Sequence, residues 1–141
     1  MRSLVPALSA VLLLSACAGW GGGTAGQADA RGIEWIATDI AGRAPVGDRP
    51  ITLRLQRGRD LAGGEAGCNV WHAGYRVGRG TLSFSEIGST RRFCPEPLLG
   101  QENAFLGLLA EVDRYTVWAD GTLTLATPTG RTVSFRRAAA P

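Results

Sequence analysis

The side chains in this 141-residue chain whose types and spacing suit chemistry are few: Cys68, His72, Cys94 and Glu102, with a single histidine among them. Cys68 and Cys94 stand 26 positions apart. In an exported protein an even pair is read as a disulfide. Closing a loop of that length stabilises the fold by about 3.5 kcal/mol in the chain-entropy account. Two other chemistries stay open. Cys68 and His72, four apart, could ligate a metal together with Cys94, although a strand would hold them in poor register and a fourth ligand is unnamed. Alternatively Cys68 is a thiolate nucleophile with His72 as its base, but no third residue is evident to orient the imidazole. One histidine excludes schemes that need two imidazoles. No cofactor motif is found.

Composition narrows the class of partner. The chain carries 15 basic residues, all arginine, against 12 acidic ones, for a formal charge of +3. That balance lacks the concentrated basic face of a nucleic-acid binder. An apolar content of 45% with 20 glycines and 4 tryptophans fits a β-rich globular body with tight turns and excludes a disordered chain.

The first residues read as an address. Arg2 precedes the apolar run Leu4 to Leu14, too short to span a bilayer as a lasting helix. The sequence Leu14-Ser15-Ala16-Cys17 then looks like the lipobox of bacterial lipoprotein precursors. That resemblance implies cleavage after residue 16 and acylation of Cys17. Ala18 rather than Asp after the cysteine resembles the pattern sorted to the outer membrane. Residues 17–32, with Gly21-Gly22-Gly23, are expected to be a flexible tether. The domain is expected over 33–137, with 138–141 as a tail.

Elements to position these groups can be read from periodicity. Glu34–Thr38, Ile51–Gln56 and Leu61–Gly64 alternate as strands. Trp71, Ala73, Tyr75 and Val77 share one face of another, which turns at Gly78-Arg79-Gly80 into Thr81–Ser85. Tyr115–Trp118, Thr122–Leu125 and Thr132–Phe135 form a meander, with Asp120-Gly121 as a type I′ turn signal. Between Pro97 and Val112 the period changes: Leu98, Phe105, Leu109 and Val112 fall on one helical stripe, with Pro97 in the first turn. Glu102 lands inside that stripe. The spacing predicts a stem packed along it with the carboxylate at the rim, the alternative being a catalytic or ligand role. The expected architecture is α+β, a single domain of antiparallel strands with one helix packed on the sheet.

An ordered set of residues resembles a known family. Gly67-Cys68-Asn69, Gly74-Tyr75, Leu82-Ser83-Phe84, Ser89-Thr90-Arg91 and Cys94 are followed by Gln101-Glu102, Phe105, Leu108-Leu109, Tyr115, Leu123-Thr124-Leu125 and Gly130. Together with Trp35 and the strand Arg49–Leu53, they are similar to the META domain, also called HslJ-like, of small bacterial lipoproteins and secreted proteins. The resemblance covers about 33–137. It implies a curved antiparallel sheet, a partly closed barrel with a helix against its open side, and a link to envelope stress or antibiotic tolerance. It carries over no catalytic residue. In the family, methionine and alanine commonly stand between the Thr-Arg pair and the second cysteine; here Arg92-Phe93 stand there. Gly67 is expected to permit a sharp turn and Asn69 to bond the local backbone, with Thr90 and Glu102 part of the same structural motif.

The expected function is that of a non-catalytic, lipid-anchored envelope protein, probing the periplasm from the outer membrane and binding an envelope protein or apolar ligand. The alternatives are a lysozyme-type hydrolase inhibitor, plugging a cleft with Arg57-Gly58-Arg59 or Gly78-Arg79-Gly80, and an enzyme using Cys68 and His72. Trp118, out of phase with Val117, is the candidate exposed aromatic, and Arg91 and Arg92 are candidates for a charged surface or solvated arginines.

Overall fold

Alternation of apolar and polar residues builds most of the molecule as strands with one buried face. The computed structural model describes residues 28–140. The expected signal segment 1–16, Cys17 and the expected tether up to residue 27 lie outside the described residues. The strands are β1 (Glu34–Ile40), β2 (Thr52–Leu55), β3 (Leu61–Glu65), β4 (Val70–Val77), β5 (Leu82–Ser89), β6 (Arg114–Val117), β7 (Leu123–Ala126) and β8 (Thr132–Arg137), with α1 (Leu98–Glu111) between β5 and β6. They pair antiparallel in the order β5-β4-β3-β2-β1-β8-β7-β6. The sheet curls into a half-barrel as a single domain, as the sequence predicts.

The two edge strands approach at one point. Thr81 bridges Arg114, Leu82 N–H donates to Asp113 O, and Tyr115 N–H donates to Gly80 O. The seam between β5 and β6 is paired no further among the described residues, and α1 packs against β5 and β8 beside it. Phe105 is the plug. Its ring meets Trp71 of β4 edge-on at 5.8 Å and Phe135 of β8 at 6.5 Å, and Trp71 in turn meets Phe84 of β5 at 6.1 Å. Such edge-to-face contacts add to the area that aromatic rings remove from water. Buried indoles find partners: Trp71 Nε1 donates to Thr52 O and Trp35 Nε1 to Ala30 O.

Several boundaries and one turn differ from the expectation. The chain is packed before Ile33, because Ala30 is buried and accepts from Trp35, while Gly32 N–H donates to Leu55 O. Asp29 pairs with Arg31 at 2.9 Å and with Arg57 at 3.3 Å, and the Arg31 hydrogen bond holds its carboxyl below the usual range. Pro97 is the N-cap rather than a first-turn residue, and Val112 is already extended. The Asp120-Gly121 reversal is not type I′: Gly121 has φ +84° but Asp120 does not share the left-handed region that type I′ demands. A loop closed by Trp118 N–H to Thr122 O and Gly121 N–H to Trp118 O replaces it, with Asp120 Oδ1 accepting from Thr122 N–H and Oγ1–H. Beyond β8, Ala138 N–H still donates to Glu34 O, so the expected tail begins one residue later.

Phe105→Ala removes a ring that touches both flanks of the half-barrel. Urea denaturation is expected to show a loss of about 3–5 kcal/mol, as for other buried aromatic truncations. A loss under about 1 kcal/mol would mean that the helix is not held by this plug.

Candidate functional site

The turn joining β3 to β4 gathers the singled-out motif residues. Gly67 has φ +92°, and a Cβ there would lie 3.1 Å from Gln101 Nε2, so both backbone and space favour glycine. The turn points Asn69 inward, where it is 2% exposed. Its backbone N–H and its Nδ2 donate to the two carboxylate oxygens of Glu102, both at 2.9 Å. Its Oδ1 accepts from Thr90 Oγ1 at 2.9 Å and from Arg92 N–H at 2.8 Å. Asn69 therefore ties α1, the turn and the segment after β5 together, rather than bonding only the local backbone.

Glu102 is 4% exposed, not placed at the rim. A buried carboxylate is costly unless its lone pairs are satisfied, and the turn supplies two aligned N–H donors. One position along in α1, Gln101 does for a loop what Glu102 does for the turn. Its amide accepts from Val46 N–H at 2.6 Å and donates to Val46 O at 3.0 Å, fastening residues 41–50 to the helix. The sequence signal for that role is an amide adjacent to the buried carboxylate, on the flank of the apolar stripe.

Cys68 and Cys94 are joined in a disulfide. The two sulfurs and a Glu102 carboxylate oxygen lie within 4.8 Å of one another. With the sulfurs bonded to each other, neither offers a thiolate to a metal or to a substrate. His72 is exposed on β4, opposite Gly63 and Gly88, on the face away from Trp71 and Ala73. The alternative metal set and the alternative Cys68/His72 nucleophile pair are therefore not assembled: strand alternation turns the imidazole outward and the disulfide occupies the sulfur.

Arg92 is not merely a solvated arginine. Besides its N–H to Asn69, its guanidinium donates to Cys68 O at 3.0 Å. Arg91 is exposed. The next residue, Phe93, is 92% exposed, and sequence reasoning assigned it no role. The available signal was a large apolar residue in an aperiodic stretch between two arginines and a cysteine. Beside it runs a crevice of about 310 Å³ lined by Asp48, Arg49, Gly67, Cys68 and Leu98. A second, more apolar crevice of about 200 Å³ includes Ile40, Arg43, Val46, Pro97 and Ala104.

Trp118 sits at the other end of the strands, 54% exposed, with Nε1 donating to Thr124 Oγ1 at 2.9 Å. The Thr122 hydrogen bonds keep the neighbouring Asp120 carboxyl below its ordinary range. Burial raises the phenols of Tyr75 and Tyr115 at the same end. The two turns named as candidates for the hydrolase-inhibitor alternative are bonded to their surroundings: Gly78 N–H donates to Thr81 O, Gly80 O accepts from Tyr115 N–H, and Arg57 pairs with Asp29.

The family model described as META domain matches residues 28–140. Two solved structures are similar. An NMR structure of a protein from Burkholderia xenovorans is 31% identical, with a TM-score of 0.66 over 79% of this chain and 85% of that one. A second NMR structure is 21% identical, with a TM-score of 0.60 over 74% and 87%, and shares the fold. A search of the curated proteins gives no match.

Asn69→Ala leaves the Glu102 carboxylate buried without its amide donor and is expected to cost about 2–3 kcal/mol. In a double-mutant cycle with Glu102→Ala, chemical denaturation should give a coupling of about 1–3 kcal/mol. Additivity within about 0.3 kcal/mol would show the two residues to be independent. Reducing the disulfide, or Cys68→Ser with Cys94→Ser, should lower stability by up to about 3.5 kcal/mol in the same assay; an unchanged midpoint would remove the cross-link from the account.

Proposed function

The chain belongs to the META domain family, and on that premise we propose that it is a non-catalytic, lipid-anchored protein of the cell envelope, held at the outer membrane and docking a partner in the periplasm. The observation that carries the reading is Leu14-Ser15-Ala16-Cys17 directly after an apolar run, eleven positions ahead of the first described residue. A single acyl chain binds a membrane only marginally, whereas several on one cysteine hold it firmly. The disulfide agrees with an oxidising compartment. It also leaves Cys68 without the free thiolate that the thiol-enzyme alternative requires. The link to envelope stress or antibiotic tolerance belongs to the same reading and rests on the family alone.

The end at which the described chain enters carries groups suited to a membrane surface. The described chain enters at Ala28, beside the β2–β3 and β4–β5 turns, where Asp29 and Arg31 line a crevice with Val77, Gly78 and Tyr115. Because Tyr115 pairs with Gly80, Trp118 lies beyond it at that same end. An anchor would turn this end, with its exposed indole and Arg57, Arg59 and Arg79, toward the headgroups. Indoles suit such interfaces, being apolar in body and polar at one edge, and arginines suit anionic lipid.

Metabolic labelling of the full chain in cells with a clickable palmitate analogue should tag it, and Cys17→Ala should abolish the tag and release the protein from the membrane fraction. A native chain that stays unlabelled and fractionates with the cytosol would overturn the proposal.

A further inference from the structure

Phe93, the most exposed large apolar side chain among the described residues, stands on a loop bonded on both sides of it. Phe93 is 92% exposed, yet both neighbours are fixed: Arg92 by its N–H to buried Asn69 and its guanidinium to Cys68 O, and Cys94 by the disulfide. A ring held out on an immobilised backbone binds at small entropic cost, since there is little left to order. Aromatic residues of this kind are the usual anchors of protein interfaces. Around it lie further exposed apolar groups, Val46 at 44% and Leu99 at 39%. Val46 lines the more apolar crevice and Leu99 follows Leu98 of the other, and the two crevices adjoin where Leu98 lies against Gly47.

Charge and position select the occupant. Arg91 makes no hydrogen bond or ion pair among the described residues, and Arg92, Arg49 and Arg43 line the crevices. Arg49 is paired with Glu65, leaving Asp48 and Glu96 as the acidic groups nearby. A second copy of the chain would bring Arg43, Arg91 and Arg92 against their own counterparts. An anionic membrane would satisfy the same side chains, but Phe93 lies at the opposite end of β4 from the point where the chain enters. Eight residues of strand separate the two ends, roughly 25 Å. A chain anchored at Cys17 meets the bilayer first through the entry end, so Phe93 is on the more distant of the two faces, and a lipid adduct at position 93 is the result that would select the membrane instead.

We propose that Phe93, flanked by Arg91 and Arg92 and backed by the crevices at Val46 and Leu98, is the docking anchor for an apolar protein segment bordered by aspartate or glutamate. The assignment deepens the docking role proposed above and takes its orientation from the anchor at Cys17. Electrostatic complementarity would set encounter and register, and burial of the ring would supply most of the affinity.

The test is in-cell photocrosslinking of the full chain with p-benzoylphenylalanine replacing Phe93, with the same probe at Trp118 as comparison, followed by mass spectrometry of the adduct. The expected result is one discrete protein adduct from position 93, absent from position 118, whose crosslinked peptide is apolar with acidic neighbours. Arg91→Glu, which breaks no bond of the fold, should lower its yield at least fivefold with an unchanged melting temperature. A lipid adduct, a homodimer, an adduct indifferent to Arg91→Glu, or none at all would each overturn the proposal. Fractionation of the same cells separates its failure from that of the anchor: an envelope-bound chain without an adduct sinks only the docking site, while a soluble chain sinks the anchor.

Discussion

A carboxylate buried inside a helical stripe is tolerated only where donors are already waiting for it, and here they come from a turn over thirty residues away in sequence. Asn69 offers Glu102 its backbone N–H and its side-chain amide, both at 2.9 Å, and spends its remaining acceptor on Thr90 and Arg92. Because Glu102 lies on α1 while Thr90 and Arg92 lie on the segment after β5, the Asn69 contacts set the position of α1 against the β3–β4 turn and the direction of the chain after β5. Hydrogen bonds to a charged group in a water-poor site are strong when made and expensive when lost. The geometry is thus restricted to one arrangement, which an apolar pair of similar size would not specify.

The disulfide and the aromatic plug act on that frame from two sides. Phe105, one helical turn beyond Glu102, fills the barrel between Trp71 and Phe135, so the carboxylate and the ring fix the same helix against the same sheet. The Cys68–Cys94 bond limits the unfolded ensemble and ties the segment leaving β5 to the turn at its base. Gln101 extends the arrangement to the loop after β1. Polar contacts and a covalent bond hold the turn, the helix start and the segment after β5 together at this end of the half-barrel, and Phe93 projects between two bonded neighbours.

The two ends of the molecule differ in kind. At the entry end the segment 29–32 closes over Trp35, Arg137 lies 5.5 Å from the Trp35 ring, and the hairpin bearing Trp118 extends past the β4–β5 turn. At the disulfide end, apolar side chains are exposed over crevices. Strands that run between opposite ends give a small protein two separated surfaces without a second domain.

The sequence by itself determined the strands, the helix and the face each buries, because period 2 and period 3.6 are local properties that survive without knowledge of neighbours. It also held the ordered motif that resembles the META domain. It did not place the Glu102 carboxylate: its helical phase was legible, but its donors lie on another element, and only the folded turn brings Asn69 to it. Strand alternation makes His72 and Trp71 face apart, yet whether Cys68 meets His72 or Cys94 depends on how the segment after β5 returns to the turn. Position 93 is the clearest case. An apolar residue in an aperiodic stretch reads as ordinary filler. Exposure is decided by what packs over a side chain, and only the tertiary structure shows that nothing in the described chain does.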